Sequence, residues 1–388
     1  MPDPACLKTI DRILRQVPLI DGHNDLAWQC REKGGDLDSI DFSGGNSARD
    51  PSLVTDLPRL RAGLVGGQFW SVYVPATPVR SDAVVTVLEQ IDLVRRLIAR
   101  HPRDLELALT ADDVLRIHRR GKIASLIGME GGQSIGNSLG VLRMAYALGA
   151  RYMTLTHMQN NDWADSATDR AEHHGLTPFG ESVVREMNRL GMLADLSHVS
   201  DDTMRMSLKI SQAPVIFSHS SARALCHHLR DVPDEILSMV AANGGVVMVT
   251  FVPEYLTEID RADETEVNRE KKRLEGLYAC DSVKYKQGLA AWRVLHPDPR
   301  HASLTDVADH IDHIRQVAGI DHVGIGSDYG GFSNPPQGLE DVSCYPALLA
   351  ELLKRGYSEE DIGKVAGLNI LRVMRAAEQV SAKLSRYE

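Results

Sequence analysis

The stretch PLIDGHND, residues 18–25, shows a pattern that recurs along the chain: a short apolar run followed by residues that can bind metal or carry a proton. Seven similar apolar runs follow, at residues 68–74, 123–130, 152–157, 193–198, 215–219, 246–251 and 323–328. They are mostly continuous rather than alternating, which is typical of strands buried on both faces of a parallel sheet. The sequence therefore predicts eight strands, the first at residues 18–23.

Amphipathic stretches between these runs predict helices at residues 82–100, 111–119, 178–190, 201–211, 233–242 and 303–317. Alternating strands and helices predict an α/β fold, and eight repeats predict a TIM-type (β/α)₈ barrel as one domain over residues 1–388. A doubly wound open sheet is the alternative. Two inserted loops are expected, after strand 1 at residues 31–67 and after strand 7 at residues 253–302. The second is highly charged and predicted to be helical, and each insertion suits a lid or a partner surface.

Composition narrows the classes of function. The chain has 388 residues and a formal net charge of -10, which argues against a nucleic-acid partner. No apolar run is long enough to span a bilayer, and residues 1–15 predict a short amphipathic helix rather than a signal peptide. The five cysteines are scattered without a CxxC pair, so neither a disulfide framework nor a cysteine–zinc site is indicated. We expect a cytoplasmic protein with no membrane partner.

Six of the eight predicted strands end at residues suited to metal binding or proton transfer. These are His23 and Asp25, Glu130, His157, His198, His219 and Asp328. In a barrel the carboxyl ends of the strands meet on one face, which is where barrel enzymes carry out their chemistry. Histidine and carboxylate ligands without cysteine suit zinc, manganese, iron or cobalt.

The spacing of individual residues supports metal binding, although each has a simpler explanation. His23 and Asp25 are two residues apart, so in a strand they face the same side; the alternative is a loop histidine and a helix-capping aspartate. Glu130 follows an apolar strand, where a buried carboxylate needs a compensating cation. Its two oxygens could bridge two metals, and the alternative is a pair with a basic side chain. Two histidines after neighbouring strands, His198 and His219, favour a second metal site over core histidines.

Asp328 ends the last strand, where it could exchange protons with a metal-activated water; the alternative is an aspartate that begins a turn. His310 and His313 fall on a polar helix and are expected at the surface. The sequence around Ser327 lacks the spacing of a nucleophile elbow, no third glycine completes a dinucleotide fingerprint, and there is no P-loop. The sequence therefore contains none of the motifs that usually indicate a serine hydrolase, a dehydrogenase or a kinase.

Taken together, these motifs resemble the membrane dipeptidase (renal dipeptidase) family of amidohydrolase-type barrels along nearly the whole chain. The segments that carry the resemblance are IDGHND at 20–25, MEGG at 129–132, LTH at 155–157, DLSH at 195–198, FSHSSA at 217–222, RDVPD at 230–234 and GIGSD at 324–328. Each motif alone is weak, but the set is highly specific. The charged tail at residues 376–388 and the long insertion after residue 253 depart from mammalian members, whose secretion and lipid-anchor signals are not seen here.

The resemblance implies a metal-dependent dipeptidase with two Zn²⁺ ions per chain, acting on small dipeptides that include L-Xaa-D-Xaa substrates through a hydroxide shared by the metals. It implies that His23 and Asp25 hold one metal, that His198 and His219 hold the other, and that Glu130 bridges them. It assigns His157 to catalysis and to contact with the scissile carbonyl, and Asp328 to proton transfer. It also implies a homodimer.

The resemblance further assigns Arg230 to the C-terminal carboxylate of the substrate; a surface ion pair with Asp231 or Asp234 is the alternative. Two other functions stay open at this point. One is an N-acyl-D-amino-acid deacylase or lactam hydrolase on the same metals, because loops rather than strand ends set specificity. The other is a non-catalytic metal-binding scaffold, against which the presence of Asp328 argues.

Overall fold

The computed structural model describes residues 3–44, 53–76, 80–279, 281–299 and 302–385, which contain one parallel sheet. Its strands are β1 (Leu19–Asn24), β2 (Val65–Tyr73), β3 (Leu105–Leu107), β4 (Ile123–Glu130), β5 (Ala150–Thr154), β6 (Leu193–Asp195), β7 (Ile216–Phe217), β8 (Val246–Val249) and β9 (Val323–Ile325). Strand β2 pairs with β1 on one side and with β4 on the other, which closes eight strands into a barrel. The predicted (β/α)₈ barrel is confirmed.

The helices that surround the barrel alternate with its strands. They are α1 (Pro4–Leu14), α2 (Leu26–Glu32), α3 (Leu57–Ala62), α4 (Arg80–Arg100), α5 (Ala111–Arg119), α6 (Leu139–Leu148), α7 (Pro178–Leu190), α8 (Asp201–Ile210), α9 (Asp234–Asn243), α10 (Glu258–Tyr278), α11 (Ser282–Leu295), α12 (Leu304–Ala318), α13 (Tyr345–Lys354), α14 (Glu359–Gly363) and α15 (Asn369–Leu384). No helix in the described ranges is both long and apolar enough to cross a membrane.

Capping residues explain why the predicted helix bounds agree with the structure to within two residues. The Thr110 side chain accepts a hydrogen bond from the backbone N–H of Asp113 at the start of α5. Thr177 caps α7, and Pro178 occupies its first turn, where a missing N–H has no cost. Ser303 and Asp306 form a reciprocal capping box at the start of α12.

The strand predictions need three corrections. Strand β2 begins at Val65 rather than at residue 68, and the short strand β3 was not predicted. It is only three residues long and pairs with β4 outside the closed barrel, so its sequence carries little periodic signal. Five observed strands end earlier than predicted, namely those at 152–157, 193–198, 215–219, 246–251 and 323–328. In four of them the backbone leaves the sheet before it reaches the predicted site residue, His157, His198, His219 or Asp328.

Both insertions carry structure. The described part of residues 31–67 contains α3, while residues 45–52 lie outside the described ranges. The insertion at 253–302 is helical, as predicted, and consists mainly of α10 and α11, which pack on one another. Helix α10 buries Val267 and Leu274, whereas α11 has no buried residue. The second insertion is therefore a peripheral helical pair that rests on the barrel through α10.

Candidate active site

The seven predicted site residues all lie at the carboxyl end of the barrel. His23 and Glu130 are the only two inside strands, β1 and β4, and Asp25 follows β1 directly. The others come two or three residues after β5, β6, β7 and β9. Their ligand atoms fall into three groups within 4.8 Å: His23, Asp25 and Glu130; Glu130, His157 and His198; and His23, His219 and Asp328.

Glu130 lies at the centre of this arrangement. Its Oε1 is 3.1 Å from His198 Nε2 and 3.4 Å from His219 Nε2, and its Oε2 is 3.4 Å from His23 Nε2. The Ser71 hydroxyl donates to Oε2 at 3.2 Å. No lysine or arginine in the described ranges pairs with Glu130, so the alternative of a pair with a basic side chain is not observed. One carboxylate therefore contacts histidines on both sides of the site.

The charges in this pocket call for a cation. The carboxylates of Asp25, Glu130 and Asp328 share it, and burial of several like charges is costly without compensation. Burial, together with the charge of Asp25, raises the pKa of Asp328 well above its ordinary value. The buried Nε2 of His23 makes no hydrogen bond in the described structure, although it lies 3.4 Å from Asp25 Oδ2. These residues fit a metal centre, since a cation among them would neutralise the carboxylates and engage that nitrogen.

His198 and His219 are uncharged imidazoles, which is the form that binds metal. Burial and the charge of His23 lower the pKa of His219 to about 3, and burial and the charge of Arg230 lower that of His198 well below its ordinary value. Their Nε2 atoms lie 2.8 Å apart. The Nε2 atoms of the two rings therefore point into the same small volume.

A hydrogen-bonded chain orients the His219 ring. The Ser218 hydroxyl lies 2.6 Å from Asp195 Oδ2 and 2.8 Å from His219 Nδ1. Because an ionised carboxylate can only accept, the hydroxyl proton goes to Asp195, and the hydroxyl oxygen accepts the Nδ1–H of His219. That tautomer leaves the Nε2 lone pair free for a metal, which is the usual role of such partners.

We predict that Ser218→Ala lowers zinc affinity about 10–100-fold, because His219 loses the group that holds its tautomer. The affinity is measured by competition with a chelator. Thr154→Val is the matched control: Thr154 also donates to Asp195, and among the described residues it forms no hydrogen bond with a histidine. Equal losses in both variants would mean that Asp195, rather than the His219 tautomer, sets the affinity.

His23 is held by a partner that sequence reasoning missed. The Tyr152 hydroxyl lies 2.9 Å from His23 Nδ1 and 3.2 Å from the Gly22 carbonyl oxygen, to which it donates. A side-chain carbon on Gly128 would lie 2.0 Å from the Tyr152 ring, so the ring fits only because residue 128 is glycine. A tyrosine beginning a predicted strand, opposite a glycine in the preceding strand, is the signal that could have identified it.

Asp25 and Asp328 face each other across a tight turn. Asp25 precedes α2 but makes no capping hydrogen bond with its side chain, so the helix-capping alternative is not observed. Asp328 and His198 adopt left-handed backbone conformations, with φ of 67° and 68°, a strain often found at functional sites. A side-chain carbon on Gly331 would lie 2.6 Å from Asp328 Oδ1 and 2.7 Å from Asp25 Oδ2, so a larger residue here would displace these carboxylates.

Arg230 is fully buried beside the centre rather than paired at the surface. Its guanidinium donates to the His219 carbonyl oxygen at 2.9 Å and to the Ser220 hydroxyl at 3.1 Å, and it lies 5.3 Å from the ring centre of Tyr255. Its Nε has no hydrogen-bond partner in the described structure. The alternative of a surface ion pair with Asp231 or Asp234 is therefore wrong.

The prediction that His310 lies at the surface is also wrong. His310 is buried, with Nδ1 accepting from the Ala222 N–H at 3.0 Å and Nε2 lying 3.0 Å from the Leu256 carbonyl oxygen. It joins the loop after β7 to the loop after β8, a long-range contact that a local helical pattern does not show. His313 is partly buried, and its Nε2 lies 2.7 Å from Asp234 Oδ1.

A closed parallel barrel whose mouth gathers four histidines and three carboxylates is the architecture of a metal-dependent barrel hydrolase. The sequence model of the membrane dipeptidase family (peptidase family M19) matches residues 7–388. This chain belongs to that family, so it is a metallopeptidase and its substrates are dipeptides.

Two curated relatives support this family, and solved structures share the fold. Dipeptidase 3 of Rattus norvegicus is 44% identical over 391 residues, covering 98% of this chain and 69% of the relative, and Dipeptidase 3 of Mus musculus is 43% identical with the same coverage. The probable dipeptidase PvdM from Pseudomonas aeruginosa has the same fold, with a TM-score of 0.81 and 24% identity over 97% of this chain and all of that one. A metallopeptidase from Rhodobacter sphaeroides, bound to a phosphinate mimic of L-Ala-D-Ala, superposes with a TM-score of 0.75 at 23% identity, covering 93% and 99% of the two chains.

Proposed function

We propose that this dipeptidase uses two zinc ions and accepts dipeptides with a C-terminal D residue as well as L-L dipeptides. The main support is the position of Glu130, whose two oxygens contact His23 on one side and His198 and His219 on the other. His23 and Asp25 would hold one ion, His198 and His219 the other, and Glu130 both. When bound, zinc lowers the pKa of water to about 7 and polarises a carbonyl group.

The remaining residues supply the proton transfers and orient the substrate. Asp328 has its pKa raised by burial and by the nearby carboxylates, so it is suited to take a proton from the attacking water and return it to the leaving amine. Burial lowers the pKa of His157, which stays neutral and can donate its Nε2–H to the charge that develops on the substrate carbonyl. Rings of Tyr73 and His198 pack on either side of His157, at 4.6 and 4.3 Å, and fix its orientation.

Arg230 would limit the substrate to two residues. A buried guanidinium with an unused N–H is stabilised by an anion, and a free C-terminal carboxylate supplies one with two acceptor oxygens. The residue after the cleaved bond is then the last one of the substrate.

We predict that Arg230→Ala raises KM for free dipeptides about ten- to a hundredfold, as expected for the loss of a hydrogen bond to a charged group. Steady-state kinetics on dipeptides and on their C-terminal amides measures this. The amides lack the carboxylate and should respond little to the substitution. An equal rise in KM for both substrate types would remove Arg230 from carboxylate recognition.

The proposed function is tested by initial rates of the zinc-reconstituted protein on dipeptides, each L-L compound being paired with its L-D partner. Turnover of both types, inhibited by a phosphinate mimic of L-Ala-D-Ala, supports the proposal. Turnover of L-L dipeptides alone would contradict the broader stereochemistry. Absence of turnover in protein that holds both metals would favour an N-acyl-D-amino-acid deacylase or a lactam hydrolase instead.

Two further proposals concern the state of the protein in the cell. We propose a homodimer, as the family resemblance implies, and a cytoplasmic location, which four free cysteines among the described residues support. Light scattering of the purified protein and fractionation of the source cells test them separately.

A further inference from the structure

A second cavity opens beside the metal centre, between the inserted helices α10 and α11 and the loop at residues 330–340. Its volume is about 760 Å³, within the range of small-molecule sites. One wall is formed by Gly330 and Gly331, and Gly331 directly adjoins the Asp25 and Asp328 carboxylates. A dipeptide held at the metal centre therefore lies next to this cavity.

The lining of the cavity is strongly acidic. Six carboxylates face it against two cations, Lys271 and Arg293. Both cations are already engaged: Arg293 forms two hydrogen bonds to Asp263, at 2.9 and 2.7 Å, and Lys271 lies 3.6 Å from Glu264. The lining therefore keeps a net negative charge after these pairs are formed.

Glu254 is the carboxylate of this cavity that no other side chain engages in the described structure, and its recorded hydrogen bond comes from its own backbone N–H. The other lining carboxylates that are not in ion pairs accept hydrogen bonds: Asp260 from the Thr257 hydroxyl, Asp298 from the Asn334 amide and Glu340 from the Gly338 N–H. The Glu254 carboxyl group accepts no hydrogen bond from another side chain and forms no ion pair in the described structure. Burial raises its pKa to about 7, and the nearby charges of Glu264 and Asp260 add to this. A largely desolvated carboxyl group that faces a cavity and pairs with no other side chain is a site for a positive group.

Glu254 is also linked to the substrate-binding side of the centre. The next residue, Tyr255, packs with its ring over the Arg230 guanidinium and against His228. The chain thus places a cation-binding carboxyl group and the ring that supports the expected carboxylate-binding arginine on successive residues. One substrate can engage both.

We propose that this cavity binds a cationic side chain of the dipeptide, so that substrates containing lysine or arginine are preferred, with Glu254 as the specificity-determining residue. The proposal rests on the proposed dipeptidase function and names the substrate class of that same site. A long basic side chain suits the volume and charge of this cavity better than a free amino terminus, and the cavity adjoins the metal centre at Gly331.

The test compares kcat/KM for dipeptides of alanine with lysine or with norleucine, placed in turn at the first and the second position. Norleucine matches the lysine chain but lacks its charge. We expect lysine to be favoured about ten- to a hundredfold at one of the two positions, as for a hydrogen bond between charged groups. Glu254→Gln should reduce that ratio to near one and leave the rates on norleucine substrates almost unchanged.

Glu275→Gln is the matched control, since it makes the same charge change on an exposed residue of α10 outside the cavity. It should leave the ratio as it is. Equal rates on lysine and norleucine dipeptides at both positions would overturn the proposal and leave the dipeptidase function intact. A Glu254→Gln variant that slows all dipeptides by one factor would also overturn it. Absence of turnover on every dipeptide would instead overturn the proposed function. The lysine-to-norleucine ratio of kcat/KM is measured on the wild-type protein, so this test does not depend on a variant that folds.

Discussion

Asp328→Asn is expected to lower kcat about 10²–10⁴-fold while the protein keeps its metal content. Asparagine preserves the shape of the side chain but cannot take a proton from water or return one to an amine. The carboxyl group of Asp328 lies 3.8 Å from His23 Nε2 and has its pKa raised by burial and by Asp25, so it is poised for proton exchange. The measurement is kcat together with metal analysis of the same preparation.

Metal content decides between two roles for Asp328. Its carboxylate also falls within ligand distance of His23 and His219. A variant that loses metal together with activity would identify Asp328 as a ligand, and unchanged turnover would remove it from the mechanism. Asp82→Asn is the control, because it removes one negative charge from an exposed residue of helix α4, and it should leave kcat and metal content unchanged.

Glu130→Gln is expected to lower zinc affinity more than about 100-fold, since the loss of an outer partner of a ligand already costs about 10–100-fold. The substitution removes a negative charge and turns an amide N–H₂ toward the Nε2 atoms of His23 or His198. Those nitrogens must be unprotonated to bind metal, so the new donor competes with the ion. Metal analysis after dialysis measures the effect, and added zinc should no longer raise the thermal midpoint.

Ser71→Ala is the control for this prediction. It removes the one hydroxyl that donates to Glu130 Oε2 and leaves the carboxylate charge in place. We expect that variant to lose no more than about 10–100-fold in zinc affinity, which is what an outer partner contributes, and so to bind zinc more tightly than Glu130→Gln. Unchanged metal content in Glu130→Gln would rule out Glu130 as a metal ligand.

The barrel could be predicted from sequence because its signals are local. Strands buried on both faces appear as continuous apolar runs, and helices such as α5 and α7 start at capping residues, Thr110 and Thr177. The three-residue strand β3 was missed, since it pairs only with β4. The predicted ends of β6 and β9 lie too far along the chain. His198 and Asp328 adopt left-handed backbone conformations, which a run of apolar residues does not reveal.

The candidate metal-site residues were predicted from their positions at strand ends and from the family resemblance, and the structure brings them together. Parallel strands in a barrel bring their carboxyl ends together, so His23, Glu130 and His219 had to meet once the fold was known. Their partners were not predictable in this way. Tyr152 reaches His23 across 129 residues of sequence, and its place depends on the space left by Gly128.

The sequence by itself determined the architecture, the family and the set of candidate metal-site residues, because period, capping and strand-end chemistry are properties of neighbouring residues. Only the tertiary structure decided how those residues act on one another. It buried Arg230 and His310, which sequence alone could leave at the surface, and it assigned the His219 tautomer through Ser218 and Asp195. It also set Glu254 against a cavity beside Asp25 and Asp328. Burial, hydrogen-bond partners and charge balance depend on segments distant in the chain, and folding alone brings those segments together.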